Sequence, residues 1–565
     1  MTAGERNARQ QIRRLYAIRN RFDAVSSPVK KDLLQLLASS SVRSVDDLQR
    51  LHTTLCFIRA FPDTRSHYRL ASIQLANFGK RIATLSGTKR TALWDTGITG
   101  TPVHYRFSFP VARWLTRRAP GAVAIDWDEQ HDVVRLDELL ELTLHGSEDE
   151  YYNSGWVTGR EWLDLARGES TDFDWLLAQM QQDGLARAWT QAYDAADVSL
   201  TWHLADSAYS KTQNVFPIRN IRPRPSGMRR PSRISRQDIA QPLQNVERLS
   251  PQAGRKMIDV AMASLAVRHR ETYHFNYANP ADVHVTGVGE GVAVVLFGLL
   301  PDHRFPLECT MGYLILSNGV PVGYGGSSIL FRQINTGVNI FDEYRGSEAA
   351  FLWVQVMRVY HQLTSCTRFI ANPYQFGAEN DEALQSGAFW FYYRLGYRPV
   401  DANIRKLAKT EWGRVQHDKK YRSSIRILRR LASCDMHFTM PGARASDLFD
   451  ERWIEISSLL ATQELAQANG AKRSSAATAV ARQVAQDIGI RSTQHWSAAQ
   501  RRGAELIAPF VAAVAPSTWP KSARQSAQSI IEAKGAMSEL DFARLMAKHE
   551  HFLQTLRKRC RQAEQ

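Results

Sequence analysis

The stretch "MGYLILSNGVPVGYGGSSILF", residues 311–331, restricts the folds open to this chain more than any other. Two apolar, β-rich runs meet at Ser317-Asn318-Gly319, and Asn-Gly is the pair that accepts the positive φ angles of a tight hairpin. "VAVVLFGLL", residues 292–300, and "GVNIF", residues 337–341, supply strands before and after it. Outside this region the apolar residues recur every three and four positions instead of every two. Residues 254–273 read as an amphipathic helix, and another runs from about Glu348 to Leu363, followed by the strand "RFIAN", a polar loop and a helix ending at "YRLGYRP". Helix, antiparallel strands, helix, strand, helix is the order of an α+β domain, so the sequence predicts a central mixed sheet with helices packed on it.

At 565 residues the chain exceeds what one core supports, and composition suggests where it divides. The first two hundred residues are mainly helical in pattern. In "VDDLQRLHTTLCFIRAF", Leu48, Leu51, Leu55 and Ile58 share one helix face, with Ser44 placed as N-cap. "YRFSFPVARWL" and "AVAIDW" are short apolar pieces that fit strands or loop anchors. "IRNIRPRPSGMRRPSRISR", residues 218–236, carries seven arginines, several prolines and no acid, and reads as an exposed linker. Past residue 425, patterns such as "AATAVARQVAQDIGI" are helical again. The expected division is a mainly helical N-terminal domain over 1–215, an Arg/Pro-rich basic linker over 216–250, the sheet domain over 251–425 and a basic helical C-terminal domain over 426–565.

The formal charge is +16, which favours a polyanionic partner: nucleic acid, an anionic lipid surface or a phosphate-rich cofactor. Residues 471–565 hold fifteen Lys or Arg against seven Asp or Glu, so half of the excess lies in the last sixth of the chain. The five cysteines are scattered without a CxxC pair and there is no HExxH, so neither a disulfide framework nor a metal site is expected. No run of 18 uncharged apolar residues occurs, and the basic, amphipathic start lacks a signal peptide's apolar stretch. A cytoplasmic chain with no membrane span is expected. The absence of GxxxxGK[ST] and GxSxG leaves nucleotide hydrolysis and serine-hydrolase chemistry without support.

One segment carries chemistry. "YRGSEAAF", residues 344–351, is a strand end, an Arg-Gly turn and a helix start, the arrangement in which backbone N–H groups converge on phosphate oxygens. Together with "AFWFYYRLGYRP", residues 388–399, and the hairpin at "SNGVPVGYGG", it resembles the GNAT superfamily of acyl-coenzyme A-dependent N-acyltransferases over about residues 255–400. "VNIFDEYRG" is similar to that family's fourth strand running into its arginine-glycine pyrophosphate loop. Where the family loop usually runs Arg-Gly-x-Gly-x-Gly or Ala, this chain has Arg345, Gly346, Ser347, Glu348, Ala349 and Ala350, with Glu348 in place of the middle glycine.

The resemblance implies a GNAT-like sheet, acetyl-coenzyme A or another acyl-coenzyme A as co-substrate, no metal, and direct transfer of the acyl group to a small-molecule or protein amine. Backbone groups of residues 345–350 would hold the pyrophosphate. Tyr392, in the Phe-Tyr pair, matches the family's acid on the leaving thiolate. Among several carboxylates the polar loop "NPYQFGAENDEAL" supplies Glu379 as the preferred base, with Asn380 or Asp381 as a helix N-cap. The competing expectation is a noncatalytic GNAT-like scaffold that binds nucleic acid or an acidic partner through its basic linker and C-terminal region.

Overall fold

The computed structural model describes residues 3–130, 132–180, 186–205, 208–224, 227–229, 235–346, 348–418, 420–469, 472–536 and 538–565. The chain forms two compact units, one of Met1–Gly227, Arg255–Asn276 and Ser317–Pro321, the other of Met228–Gly254, Tyr277–Leu316 and Val322–Gln565. The second unit therefore holds most of the sheet region, all of the expected C-terminal helical domain and the later part of the Arg/Pro-rich stretch.

The first unit is mainly helical. In α1 (Val45–Ala60), Leu48, Leu51, Leu55 and Ile58 are all fully buried, as their spacing requires. Ser44 is the extended N-cap residue of α1, but its hydroxyl accepts from the Arg9 guanidinium at 3.3 Å instead of from a helix amide. The unit also contains a small antiparallel sheet of β1 (Pro102–Tyr105), β2 (Val123–Ile125) and β3 (Leu200–His203), in the order β1-β3-β2. Val103, Val123, Ile125, Leu200 and Trp202 are buried, whereas His104, Thr201 and His203 are not, so the sheet buries one face and leaves the other open.

The second unit is built on a mixed sheet of β4 (Glu247–Arg248), β5 (Ala278–Gly289), β6 (Val292–Leu299), β7 (Cys309–Ser317), β8 (Val320–Leu330), β9 (Gln333–Thr336), β10 (Asn339–Ile340), β11 (Arg368–Ala371), β12 (Arg398–Pro399) and β13 (Met436–Thr439). Its order is β12-β13-β11-β9-β8-β7-β6-β5-β4, with β10 also paired to β8. Helices flank it, and the α+β class read from the sequence holds. Asn318 and Gly319 take φ values of +48° and +78° at the β7–β8 hairpin, as the Asn-Gly pair demands. β13 lies inside the stretch expected to be helical beyond residue 425. Only its pairing with β11 and β12 reveals it, because four residues are too few to display a period.

Helix α2 (Ala349–Thr364) packs on the sheet through Leu352, Val356, Val359 and Tyr360, all fully buried. The Arg/Pro-rich segment is no free tether at its later end. The Arg358 guanidinium donates to the Gln241 carbonyl at 2.9 Å and the Gln362 amide to the Ala240 carbonyl at 3.0 Å, which holds residues 240–241 along α2. Their carbonyls, outside any regular element, gain donors from the helix instead of water.

C-terminal helices α4 (Lys521–Ala536) and α5 (Glu539–Lys548) are joined to the sheet by buried charge; a shorter helix, α3 (Ala388–Arg394), precedes them. Arg304, Asp282, Lys534 and Glu539 are each less than a tenth exposed. Arg304 Nε lies 3.1 Å from Glu539 Oε1, its Nη1 donates to the Lys534 carbonyl at 2.7 Å, and Asp282 Oδ2 accepts the Glu539 backbone N–H at 2.8 Å. Lys534 Nζ donates to the Glu308 carbonyl at 3.1 Å. Burial pushes the Glu539 carboxyl up and the Lys534 ammonium down, and each charge opposes the shift of the other.

Among the described residues no helix is long and apolar enough to cross a membrane, and no group of His, Cys, Asp and Glu side chains is arranged to hold a metal ion. Removing one member of the buried set should be far more damaging than breaking a surface pair. Arg304→Met is expected to lower stability by about 3–5 kcal/mol by leaving Glu539 and Asp282 buried with Lys534 as their one remaining cation among these four. Arg502→Ala, which breaks an exposed 2.6 Å pair with Asp302, should cost under about 1 kcal/mol. Urea unfolding of the two variants measures the difference.

Candidate functional site

The site is a place where the sheet comes apart. β9 runs parallel to β11 through the pairs Gln333–Arg368, Ile334–Phe369 and Asn335–Ile370. On its other side β9 pairs with β8 up to Thr336–Ser327, and β10 resumes at Asn339–Tyr324 in the same register. β10 pairs with β8 and not with β11, so past Thr336 the parallel strands part, and Gly337 and Val338 lie where they separate.

Backbone groups at such a gap need other partners. The Tyr313 hydroxyl donates to the Gly337 carbonyl. The Val338 N–H donates to the Tyr392 hydroxyl oxygen at 3.3 Å. Two phenols thus replace the missing ladder bonds. Tyr392 comes from α3, where "AFWFYYR" packs its rings inward: Tyr392 is T-shaped against Trp353 of α2 and Tyr397, and 2% exposed. Burial raises its phenol well above the ordinary tyrosine range, with the Val338 N–H acting the other way. The hydroxyl oxygen accepts from Val338, and among the described residues no acceptor takes its proton.

Gly337 also makes room for a side chain. A Cβ built there would lie 1.8 Å from Gln375 Oε1 and 2.2 Å from Gln375 Cδ. Gln375 sits in the short 3-10 turn Pro373–Phe376, whose N-cap Asn372 follows β11 directly.

The Arg-Gly turn leaves β10 through a 3-10 turn at Asp342–Tyr344 and enters α2. Gly346 has φ +79° with open space at its Cβ position, so it is needed for its backbone and not for a close approach. Ala349 and Ala350 open the helix, and Ser347 lies outside the described residues. Glu348 is the N-cap residue and is 1% exposed. Its carboxylate turns inward and accepts the backbone N–H of Arg229 at 3.1 Å, while the Arg229 guanidinium pairs with Glu290 at 2.7 Å and lies over the Phe351 ring. The Arg345 guanidinium is engaged by Asp342 at 3.0 Å and by Glu382.

Glu379 is exposed, in a left-handed conformation at φ +55°, on the loop after the 3-10 turn. Its neighbour Asn380 caps the next helix, accepting the Ala383 N–H at 3.1 Å. Tyr392 is therefore at the split, Arg345 and Gly346 stand at the turn before α2 with Glu348 as its N-cap residue, and Glu379 stands on a solvent-exposed loop.

One carboxyl near the split lies outside every motif read above. Asp435 precedes β13, whose Met436 pairs with Ala371, the last residue of β11. One residue beyond that ladder, Asp435 stands next to the end of β11, on the side of the sheet edge where β9 and β11 part. Burial, with Glu451 and Asp450 nearby, pushes its carboxyl from 3.8 up to about 6. Glu451 is raised as well, chiefly by burial, and accepts from the Asn335 amide on β9 at 2.5 Å. Asp435 escaped notice because the residues around it read as helix.

The chain matches no protein-family model, no curated protein and no solved structure. Its chemistry rests on this geometry alone. The fit of Gln375 against Gly337 gives a direct check: because the clashing atoms are the far end of a flexible, half-buried side chain, Gly337→Ala should cost under about 1 kcal/mol, and Gln375→Ala should remove most of that cost. A double-mutant cycle in urea unfolding reads both.

Proposed function

We propose that the chain is an acyl-coenzyme A-dependent N-acyltransferase of the GNAT kind, with an amine as acceptor. The observation that carries the reading is the Tyr392 hydroxyl. It accepts from Val338 at the strand split and keeps its own proton uncommitted. A protonated donor held there suits the step in which the tetrahedral adduct collapses: the carbon–sulfur bond breaks and the leaving thiolate takes the proton.

Two further features agree. A phosphate site needs outward-facing amides at a helix start, and the turn at Arg345–Gly346 leads straight into a helix of sixteen residues. Glu348 would repel a pyrophosphate if it faced solvent, but its carboxylate is turned inward onto the Arg229 N–H. The acceptor's ammonium must lose a proton before it attacks the thioester carbonyl. We assign that base to Asp435 rather than to the exposed Glu379, since Asp435 stands beside the end of β11 and burial raises its carboxyl to about 6.

A second reading draws on Arg345. With Asp342 and Glu382 already on its guanidinium, the turn has spent its nearest cation, as a scaffold that no longer binds a cofactor could do. Such a scaffold would act through its basic segments on nucleic acid or an acidic partner, with affinity falling steeply as salt rises.

Calorimetric titration with acetyl-coenzyme A and free coenzyme A separates the two readings. Saturable binding to the native chain that Gly346→Trp abolishes is the expected result; no binding of either ligand favours the scaffold. Once an acceptor is found, Tyr392→Phe should slow turnover about a hundredfold or more with cofactor affinity nearly unchanged. The rate should climb with pH through about 6 as Asp435 ionises, and Asp435→Asn should remove that rise. An intact pH profile in the variant excludes Asp435 as the base.

A further inference from the structure

Residues 394–430 hold twelve Lys or Arg against three Asp or Glu, so more than half of the chain's excess of positive charge falls within under a tenth of its length. Two helices of the second unit, Ala402–His417 and Ile425–Leu431, carry most of this stretch and lie against one another. In the first, Ile404, Ala408 and Glu411 face inward, while Arg405, Lys406, Lys409 and Arg414 are exposed. Glu411 is the one acid within that helix and is 1% exposed. Its carboxylate accepts from Arg414 at 2.7 Å, from the Tyr421 hydroxyl at 2.8 Å and from the Ser423 hydroxyl at 3.1 Å. The acid that would neutralise the outer face is thus spent inside, fastening the segment that joins the helices.

In the second helix Arg426, Arg429 and Arg430 are exposed. Among the described residues no carboxylate pairs with Lys406, Lys409, Lys420, Arg426 or Arg430, and Arg429 reaches Asp381 only at 3.7 Å. An ordinary surface interleaves both signs, whereas this one gathers a single sign at the cost of self-repulsion, which a polyanion would relieve. Two further observations narrow the partner. Ile425 is the one large apolar residue exposed on the two helices, so they lack the apolar stripe that a membrane-surface helix inserts. At the edge of the basic face, a turn after Lys409, the half-buried Trp412 stacks on the half-buried Trp390 with ring centroids 5.6 Å apart. Cations that track a phosphate backbone beside an aromatic edge are what sequence-tolerant nucleic-acid binders present.

We propose that the outer face of these two helices is a nucleic-acid docking surface. The exposed lysines and arginines neutralise successive phosphates, and the Trp412–Trp390 edge stacks an unpaired base where a strand offers one. The sixteen residues of the first helix span about 24 Å, the length of about seven base-pair steps. This surface is distinct in sequence from the Arg/Pro-rich segment and from the basic last sixth of the chain, and it does not depend on whether the turn before α2 takes coenzyme A.

Fluorescence anisotropy of the full-length protein with a labelled DNA duplex, and separately with a labelled single-stranded RNA, over a range of salt tests it. Saturable binding of at least one at low salt is expected, weakening steeply as salt rises. The variant Lys406→Gln, Lys409→Gln, Arg426→Gln, Arg430→Gln should lose about tenfold or more in affinity and show a shallower salt dependence. Lys406→Arg with Lys409→Arg should bind as the native chain does. A control, Arg473→Gln, Arg482→Gln, Lys521→Gln, Lys558→Gln, removes as many exposed charges elsewhere and should change little. Every substituted side chain is exposed, so folding is not at stake, and urea unfolding of each variant verifies this. Tighter binding of the single strand assigns a part to the Trp412 edge, and tighter binding of the duplex assigns the affinity to phosphate contacts alone. No binding of either, an equal loss in the control variant, or binding to phosphatidylserine vesicles but not to nucleic acid overturns the proposal.

Discussion

Charges removed from water persist only where each finds an opposite charge or a hydrogen-bonding group, and the second unit is organised around such a set. Asp282 belongs to β5, Arg304 follows β6, and Lys534 and Glu539 stand at the end of α4 and the start of α5. None of the four can be left alone in the interior. The strands and the C-terminal helices, more than two hundred residues apart in sequence, are therefore committed to one arrangement. The hydrogen bonds from Arg304 to the Lys534 carbonyl and from the Glu539 backbone N–H to Asp282 fix position and direction together, and the Arg304–Glu539 ion pair adds charge neutrality.

A related rule governs the strand split. Parting two strands exposes ladder groups, and a sheet pays for that unless something else meets them. Here Tyr313 and Tyr392 meet the Gly337 carbonyl and the Val338 N–H, so the gap is part of the fold's hydrogen bonding. The same device that stabilises the opening also puts a phenol there with its proton to spare. The bond that Tyr392 accepts from Val338 also fixes the direction of its hydroxyl.

Much of this was legible in residues close together in sequence. Asn318-Gly319 identified the hairpin, the spacing of Leu352, Val356 and Val359 identified the buried face of α2, and Asn380 its neighbour helix's cap. The Arg345-Gly346 turn was found from strand, turn and helix in succession. Local rules govern these features, since a positive φ, a helix face or a cap involves residues a few positions apart. Glu348 shows the limit. Its type and place could be read, and with them the conflict with an anion, but its direction depends on Arg229, over a hundred residues earlier.

The α+β class, the hairpin, the turn into α2 and the excess of positive charge are written in the chain itself, because period, turn chemistry and composition act over short distances. Folding alone lays residues 240–241 along α2, brings β13 into the sheet beside β11 and sets Asp435 next to the end of β11. Each of these joins residues far apart in the chain. What brings them together is the satisfaction of buried backbone and charged groups, which no local pattern records.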